Sequence, residues 1–160
     1  MAKQKKTFAI IKPGPIKRQQ TGGIISLIEE PLKNRESRLR ILRARMVWAT
    51  RDQLEKHYHK DSEWFNMVGN KIIGRMAVDE KPQKSAEEYG REALEQVIAH
   101  MESGPMLIME IEGDNAIEDL MELAEIIRKM YGIDIVDNAL HRSDSDESAE
   151  YELNIWGPWF

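Results

Sequence analysis

The segment NALHRSDSDESAEYELNIW, residues 138–156, contains the first group of side chains that could carry out a reaction. It places one histidine, His141, ahead of a stretch that predicts a helix. The Ser-Asp-Ser run at 143–145 supplies good N-cap residues, and the acidic residues after it complement the helix dipole. Apolar residues at i, i+4 and i+7 from Ala149 predict a buried stripe, and Glu152 lies one residue from that stripe. Glu152 is therefore expected to point inward, beside whatever precedes the helix.

A histidine next to a carboxylate suggests nucleophilic chemistry. A carboxylate bonded to one imidazole nitrogen fixes the tautomer and leaves the other nitrogen free to attack. An unperturbed imidazole has a pKa of about 6.5, so much of it is neutral near pH 7 and no general base is required. The alternative is that His141 merely packs at a helix start, which is the commoner situation for a lone histidine. The segment by itself does not decide between these two interpretations.

Lys12 is a second candidate, because it ends a predicted strand and is followed at once by Pro-Gly-Pro. Ligands often bind at strand ends in α/β folds, and an ammonium there would meet an anion. The chain contains no GxxxxGK[ST] string, so this is not a P-loop. A solvated surface lysine is the commoner explanation for such a residue.

Aromatic and histidine residues cluster around position 60. Tyr58, Trp64 and Phe65 could form a platform for a nucleobase, although aromatics near a helix end more often belong to the core. His57 and His59 suggest metal binding only weakly, because an HxH pair alone is not a specific signal. We therefore predict no metal held by protein side chains.

The elements that must position these residues alternate along the chain. The expected fold is an α/β sandwich of the α+β type, a ferredoxin-like antiparallel sheet covered by helices on one face. We predict a single domain over 1–160, with 69–102 as an insertion whose first part, 70–90, is a loop. We predict strands at 6–12, 38–49, 104–113 and 133–136. We predict helices at 21–30, 50–60, 85–103 and 114–132, and a last helix after Ser145. Residues 33–38 are predicted to form a charged connection.

Composition excludes several classes of protein. The 160 residues are 41% hydrophobic and 32% charged, which is typical of a globular domain. The formal net charge of -5 gives no general reason to bind nucleic acid or an anionic membrane. There is no cysteine, so disulfides and thiolate chemistry are absent. Neither the basic N-terminus nor any apolar run resembles a signal peptide or a membrane span, and we expect a cytoplasmic protein.

These pieces together resemble one family, the nucleoside diphosphate kinases. The resemblance covers most of the chain, with the middle insertion outside it, and the Asn-x-x-His-x-Ser-Asp-Ser string is its most specific part. The matching segments, in the family's order, are TFAIIKP at 7–13, KR at 17–18, GGII at 22–25, HY at 57–58, WF at 64–65, SGP at 103–105, RKMYG at 128–132 and the segment at 138–156.

The resemblance implies an enzyme that moves the γ-phosphate of a nucleoside triphosphate to a nucleoside diphosphate through a phosphohistidine. His141 matches the nucleophile, and Glu152 and Ser143 match the residues that orient it. Trp64 matches the ring that stacks on the base, with Val68 beside it, and such stacking suits broad nucleotide specificity. The expected nucleotide-binding residues are Lys12, Tyr58, Trp64, Val68, Arg128, Asn138 and Arg142. Mg²⁺ would arrive on the nucleotide phosphates, and a homo-oligomer, most simply a dimer, is expected.

The departures from the family pattern fall on its phosphate-binding groups. Ser62 and Glu63 occupy the place of an arginine, and the long loop that carries another arginine is missing after Gly132. Arg142 replaces a glycine of the family pattern. Arg142, Lys60 and the cations of the insertion could compensate for the missing arginines, and the insertion would then partly rebuild the cover over the nucleotide. The alternative function is a kinase-like module that binds nucleotide or a protein partner with little or no turnover.

Overall fold

The computed structural model describes residues 5–30 and 38–160, so most of the predicted charged connection at 33–38 lies outside the described residues. The strands are β1 (Lys5–Ile11), β2 (Arg40–Val47), β3 (Met106–Gly113) and β4 (Leu140–Arg142). The helices are α1 (Pro13–Lys17), α2 (Thr21–Glu29), α3 (Arg51–His57), α4 (Ser62–Ile73), α5 (Ala86–Glu102), α6 (Ala116–Tyr131) and α7 (Asp146–Trp156), followed by a 3₁₀ turn at Gly157–Trp159.

The four strands form one antiparallel sheet in the order β2-β3-β1-β4. This is the ferredoxin-like arrangement that the alternation of strands and helices predicts. Helices cover both faces of the sheet, however, and the expectation of a single covered face is wrong. Neighbouring residues of β1 belong to two separate cores: Phe8 and Ile10 pack with α3, α5 and α7, whereas Ala9 and Ile11 pack with α2 and α6. A strand buried on both faces is apolar throughout, which explains the unbroken FAII run.

The last strand is not where the sequence pattern placed it. Residues 133–136 form a tight turn, in which Asp134 Oδ1 accepts hydrogen bonds from the backbone N–H groups of Val136 and Asp137, each 2.8 Å long. The alternation of isoleucine and aspartate imitates a strand, but Ile133 and Ile135 are each 68% exposed. Strand β4 instead spans Leu140–Arg142, and it therefore contains His141 itself.

The middle of the chain is more helical than predicted. Helix α4 continues to Ile73, so the loop predicted for 70–90 is confined to residues 74–85. Ser85 caps α5 and forms the predicted capping box with Glu88. Helices α4 and α5 pack with their backbones in close contact, because a Cβ on Gly69 would lie 1.7 Å from the carbonyl oxygen of Ala86. Among the described residues, no helix has the length and apolar character needed to cross a membrane.

Candidate active site

His141 lies in the middle of β4, where it pairs with Ile10 of β1. Ser145 then caps α7, and the first turns of this helix bring Glu152 back over the strand. Glu152 is buried, as the apolar stripe of α7 predicts, and its Oε1 lies 2.9 Å from Nε2 of His141. Ser143 donates its hydroxyl to the other carboxylate oxygen at 2.6 Å. The histidine therefore belongs to a strand and a buried hydrogen-bond network, not to a helix start.

The environment keeps the His141 ring neutral. Burial lowers the pKa of His141 well below its usual value of 6.5, and the positive charges of Lys12 and Arg128 lower it further. A neutral imidazole that faces a carboxylate must donate through the nearer nitrogen, so Nε2 carries the proton toward Glu152. The lone pair is then on Nδ1, which is the nitrogen available for attack.

Lys12 is buried, with only 4% of its surface exposed, and its ammonium donates to the carbonyl oxygen of Val136 at 3.1 Å. This rules out the interpretation of Lys12 as a solvated surface lysine. Burial, assisted by the charge of Arg128, lowers the pKa of Lys12 to about 8. Burying an ammonium is costly, and a lysine kept at such a position is suited to an anionic ligand.

Two arginines complete the positive cluster. Arg128 donates through Nε and Nη2 to the carbonyl oxygen of Leu140, at 3.2 and 3.1 Å. Burial and then the charge of Arg142 lower the pKa of Arg128, which indicates that the two guanidinium groups are close enough to repel one another. Lys60 also lines the recess that contains His141 and Arg142. Arg128 Nη1 also lies 3.5 Å from Oε1 of Glu125, which is mostly exposed. A cluster of lysine and arginine side chains around a buried histidine suits the binding of a phosphate group.

Several polar atoms around this cluster have no partner among the described residues. They include Tyr58 Oη, Asn138 Oδ1 and Arg142 Nε, all of which are buried. Buried polar atoms in proteins are nearly always hydrogen-bonded. These three unpaired atoms, one of which belongs to the cation Arg142, are hydrogen-bonding groups that a polar ligand could satisfy.

Trp64 and Val68 lie on one face of α4 and line a single cavity of about 690 Å³ between α4, α5 and the 133–136 turn. Trp64 is partly exposed, whereas Phe65 is buried, so Trp64 is the ring available for stacking and Phe65 belongs to the interior. The ammonium of Lys60 lies 5.6 Å from the centroid of the Trp64 ring. Because Lys60 also lines the His141 recess, it lies between Trp64 and the positive cluster.

A resident metal ion does not fit this site. Ligand atoms of His57, His141 and Glu152 lie within 4.8 Å of one another, which is a geometry that could hold a metal. However, Glu152 is already engaged by His141 and Ser143, and the surrounding lysine and arginines would repel a cation. Mg²⁺ in particular prefers oxygen ligands to imidazole nitrogen.

Sequence reasoning missed two neighbours of the site. His57, which the sequence suggested only as a weak metal ligand, is buried with its ring 4.3 Å from that of His141, and its Nδ1 accepts from Trp156 Nε1 at 3.2 Å. Arg18 fixes the 133–137 turn through Asp137, with Nη1 2.5 Å from Oδ2. Both residues belong to segments that match the family, HY at 57–58 and KR at 17–18, but the match did not assign either of them a role at the site.

A neutral histidine held by a carboxylate, among buried cations and unpaired polar atoms, has the chemistry that binding of phosphate groups requires. Comparison with known proteins agrees with that class. The family model for nucleoside diphosphate kinase matches residues 5–78 and 63–158, and the chain belongs to this family of phosphotransferases.

Individual nucleoside diphosphate kinases are similar to this chain over nearly their whole length. A nucleoside diphosphate kinase of Pyrobaculum aerophilum is 28% identical over an alignment of 177 positions, which covers 94% of this chain and 93% of the relative. A nucleoside diphosphate kinase of Chelativorans sp. is 29% identical, and the alignment covers 94% of this chain and 91% of the relative. The crystal structure of an NDP kinase from Pyrobaculum aerophilum superposes with a TM-score of 0.81, at 27% identity and 96% coverage of both chains.

Proposed function

We propose that the chain is a nucleoside diphosphate kinase that works by a ping-pong mechanism through a phosphohistidine on Nδ1 of His141. The observation that carries this proposal is the 2.9 Å contact between His141 Nε2 and Glu152 Oε1. That contact orients the ring and leaves the Nδ1 lone pair among the cations that lower the pKa of His141. A buried neutral nucleophile beside positive charge suits attack on an anionic phosphoryl group.

The reaction proceeds in two balanced steps. The Nδ1 lone pair attacks the γ-phosphorus of a nucleoside triphosphate, and the bond from that phosphorus to the β–γ bridging oxygen breaks, releasing the diphosphate. A second diphosphate then attacks the same phosphorus through a terminal oxygen, and the N–P bond breaks to regenerate neutral His141. In both steps catalysis consists of alignment and of cationic stabilisation of the transferred phosphoryl group.

The catalytic group consists of His141, Glu152 and Ser143, and the nucleotide is bound by a second set. Lys12, Arg128 and Arg142 supply positive charge to the phosphates, with Tyr58 and Asn138 as hydrogen-bonding partners. Trp64 stacks on the base, and Val68 lines the same cavity. We infer that Arg142 and Lys60, both of which line the His141 recess, supply charge in place of the family arginines that this chain lacks.

Mg²⁺ is expected to arrive as part of the nucleotide substrate, without a protein ligand. A homo-oligomeric state, with a dimer favoured, is part of the proposal. The proposal also includes a single domain over 1–160 with an insertion at 69–102. Location in the cytoplasm and the lack of a nucleic-acid partner remain predictions.

Incubation with ATP labelled on the γ-phosphate tests the mechanism. We expect the wild-type protein to acquire a label that is stable to base and labile to acid, which is the behaviour of a phosphohistidine. Adding unlabelled GDP should remove the label and produce labelled GTP. His141→Ala should acquire no label.

His59→Ala is the matched control, because His59 is an exposed histidine that lines the same recess as His141 but lies against the ring of Tyr151. It should be labelled like the wild type. Failure of the wild type to acquire any label would contradict the proposal and would favour a nucleotide-binding module without turnover.

A further inference from the structure

We propose that the cavity between α4 and α5 selects among nucleobases and favours guanine over adenine. This inference rests on the proposed function, because that function places a nucleotide on Trp64. Stacking alone is indifferent to the base, since every base presents an aromatic face. Selection requires polar groups at the edge of the ring, and this cavity has them.

The cavity is walled by one face of each helix. Trp64, Val68 and Lys71 follow one another at helical spacing along α4, with Arg75 just beyond its end. Glu92 and Gln96 face them from α5. The lining therefore combines two aromatic rings (Trp64 and Tyr89), two cations, one carboxylate and one amide around a cavity of about 690 Å³.

These groups match the edge of guanine better than that of adenine. Guanine presents two adjacent donors, N1–H and the exocyclic amine, and a carboxylate has two oxygens that only accept. Its O6 and N7 accept from lysine or arginine, which is the commonest specific contact to this base. Adenine presents a lone pair at N1, which would face the carboxylate unfavourably.

Glu92 is available for this contact. Its Oε1 lies 2.5 Å from Lys84 Nζ, but both side chains are about half exposed, at 50% and 45%. Exposed ion pairs of this kind are weak, so a base can compete with Lys84 for the carboxylate.

The walls are held at a fixed separation. A Cβ on Gly90 of α5 would lie 2.1 Å from the carbonyl oxygen of Phe65 on α4, and Gly69 makes the reciprocal close approach to Ala86. Asp61 caps α4 and Ser85 caps α5, which fixes where both helices begin. A pocket built on rigid helices discriminates better than one built on mobile loops.

The cavity also joins the phosphate cluster. Val136 lines the cavity, and its carbonyl oxygen accepts the hydrogen bond from the buried ammonium of Lys12. Lys60 stands over Trp64 and lines the recess of His141. A nucleotide whose base occupies the cavity therefore extends past these two lysines toward His141.

Single-turnover transfer from the purified phosphoenzyme to GDP and to ADP, at concentrations below saturation, tests the selection. We expect the second-order rate constant for GDP to exceed that for ADP by at least about fivefold, the lower end of what one bidentate base contact provides. Glu92→Gln replaces one acceptor oxygen by a donor, so this ratio should fall toward one.

Glu95→Gln is the matched control, since Glu95 lies on the same helix, is exposed and pairs with Arg51. It should keep the wild-type ratio. Equal rates for GDP and ADP in the wild type, or an unchanged ratio in Glu92→Gln, would overturn the selection while leaving the phosphohistidine mechanism intact.

If no phosphoenzyme forms, the same comparison is made on binding, by titrating GDP and ADP against the protein in a calorimeter. Tighter binding of GDP, lost in Glu92→Gln, would support base selection even though the proposed kinase mechanism had failed. Equal affinities would overturn it.

Discussion

At the scale of single residues, the site is defined by which polar groups are buried and by which partners they have. The pattern of α7 was enough to predict that Glu152 points inward, because helical periodicity fixes the direction of a side chain. The burial of Lys12 was not predictable from its position at a strand end, because it depends on the 133–137 turn, whose carbonyl at Val136 receives the ammonium. Long-range contacts of this kind leave no local signal.

The lowered pKa of Lys12 predicts how activity depends on pH. In the free protein this pKa is about 8, so the ammonium loses its proton, and with it the charge that attracts phosphate, as the pH rises through 8. We expect kcat/KM to fall about tenfold per pH unit above that value. Bound phosphate holds the proton on Lys12, so kcat at saturating nucleotide should change less. Initial rates measured between pH 6 and 10 check this expectation.

Lys12→Gln provides the control for that profile. Its kcat/KM should be low at every pH and should not fall further above pH 8, because no group titrates at position 12. If the fall in kcat/KM above pH 8 persisted unchanged in this variant, a group other than Lys12 would be responsible for it.

At the scale of elements, the sequence predicted helices better than it predicted boundaries and turns. The capping box at Ser85 and the apolar spacing of α6 determine structure locally, and both elements lie close to their expected positions. The 133–136 segment has strand-like composition, but hydrogen bonds to Asp134 fold it into a turn. The close packing of α4 on α5 could not be inferred, since two glycines far apart in sequence bring the helices together.

Gly90→Ala tests whether that packing matters for stability. The added Cβ would meet the backbone of Phe65 at 2.1 Å, so one helix must move. We expect the free energy of unfolding to fall by about 1–3 kcal/mol, the usual cost of overpacking an interior. Urea denaturation measures it.

Gly22→Ala is the matched control, because Gly22 is also helical and a Cβ there would meet no atom within 4 Å. This change should be neutral or stabilising by up to about 1 kcal/mol, since alanine is the better helix former. A Gly90→Ala protein as stable as the wild type would contradict the close packing of α4 against α5.

At the scale of the whole molecule, helices on both faces of the sheet bury two separate cores. The C-terminal residues complete one of the two cores, with Trp156 buried and both Trp159 and Phe160 packed against it. The C-terminus therefore packs on the core of its own chain. The sequence did not predict which face of the sheet each helix covers. Because β1 is apolar on both faces, its residues do not distinguish one face from the other.

The sheet leaves β2 at its edge, which bears on assembly. Edge strands present unpaired backbone groups, and Met46 within this strand and Trp48 just after it are 47% and 64% exposed. We expect a homodimer, because such an edge favours association with the same edge of a second copy of the chain. Light scattering coupled to size-exclusion chromatography should give twice the mass of the chain, and dilution should shift it toward the monomer by mass action. A monomer at all concentrations, or a hexamer, would contradict this expectation.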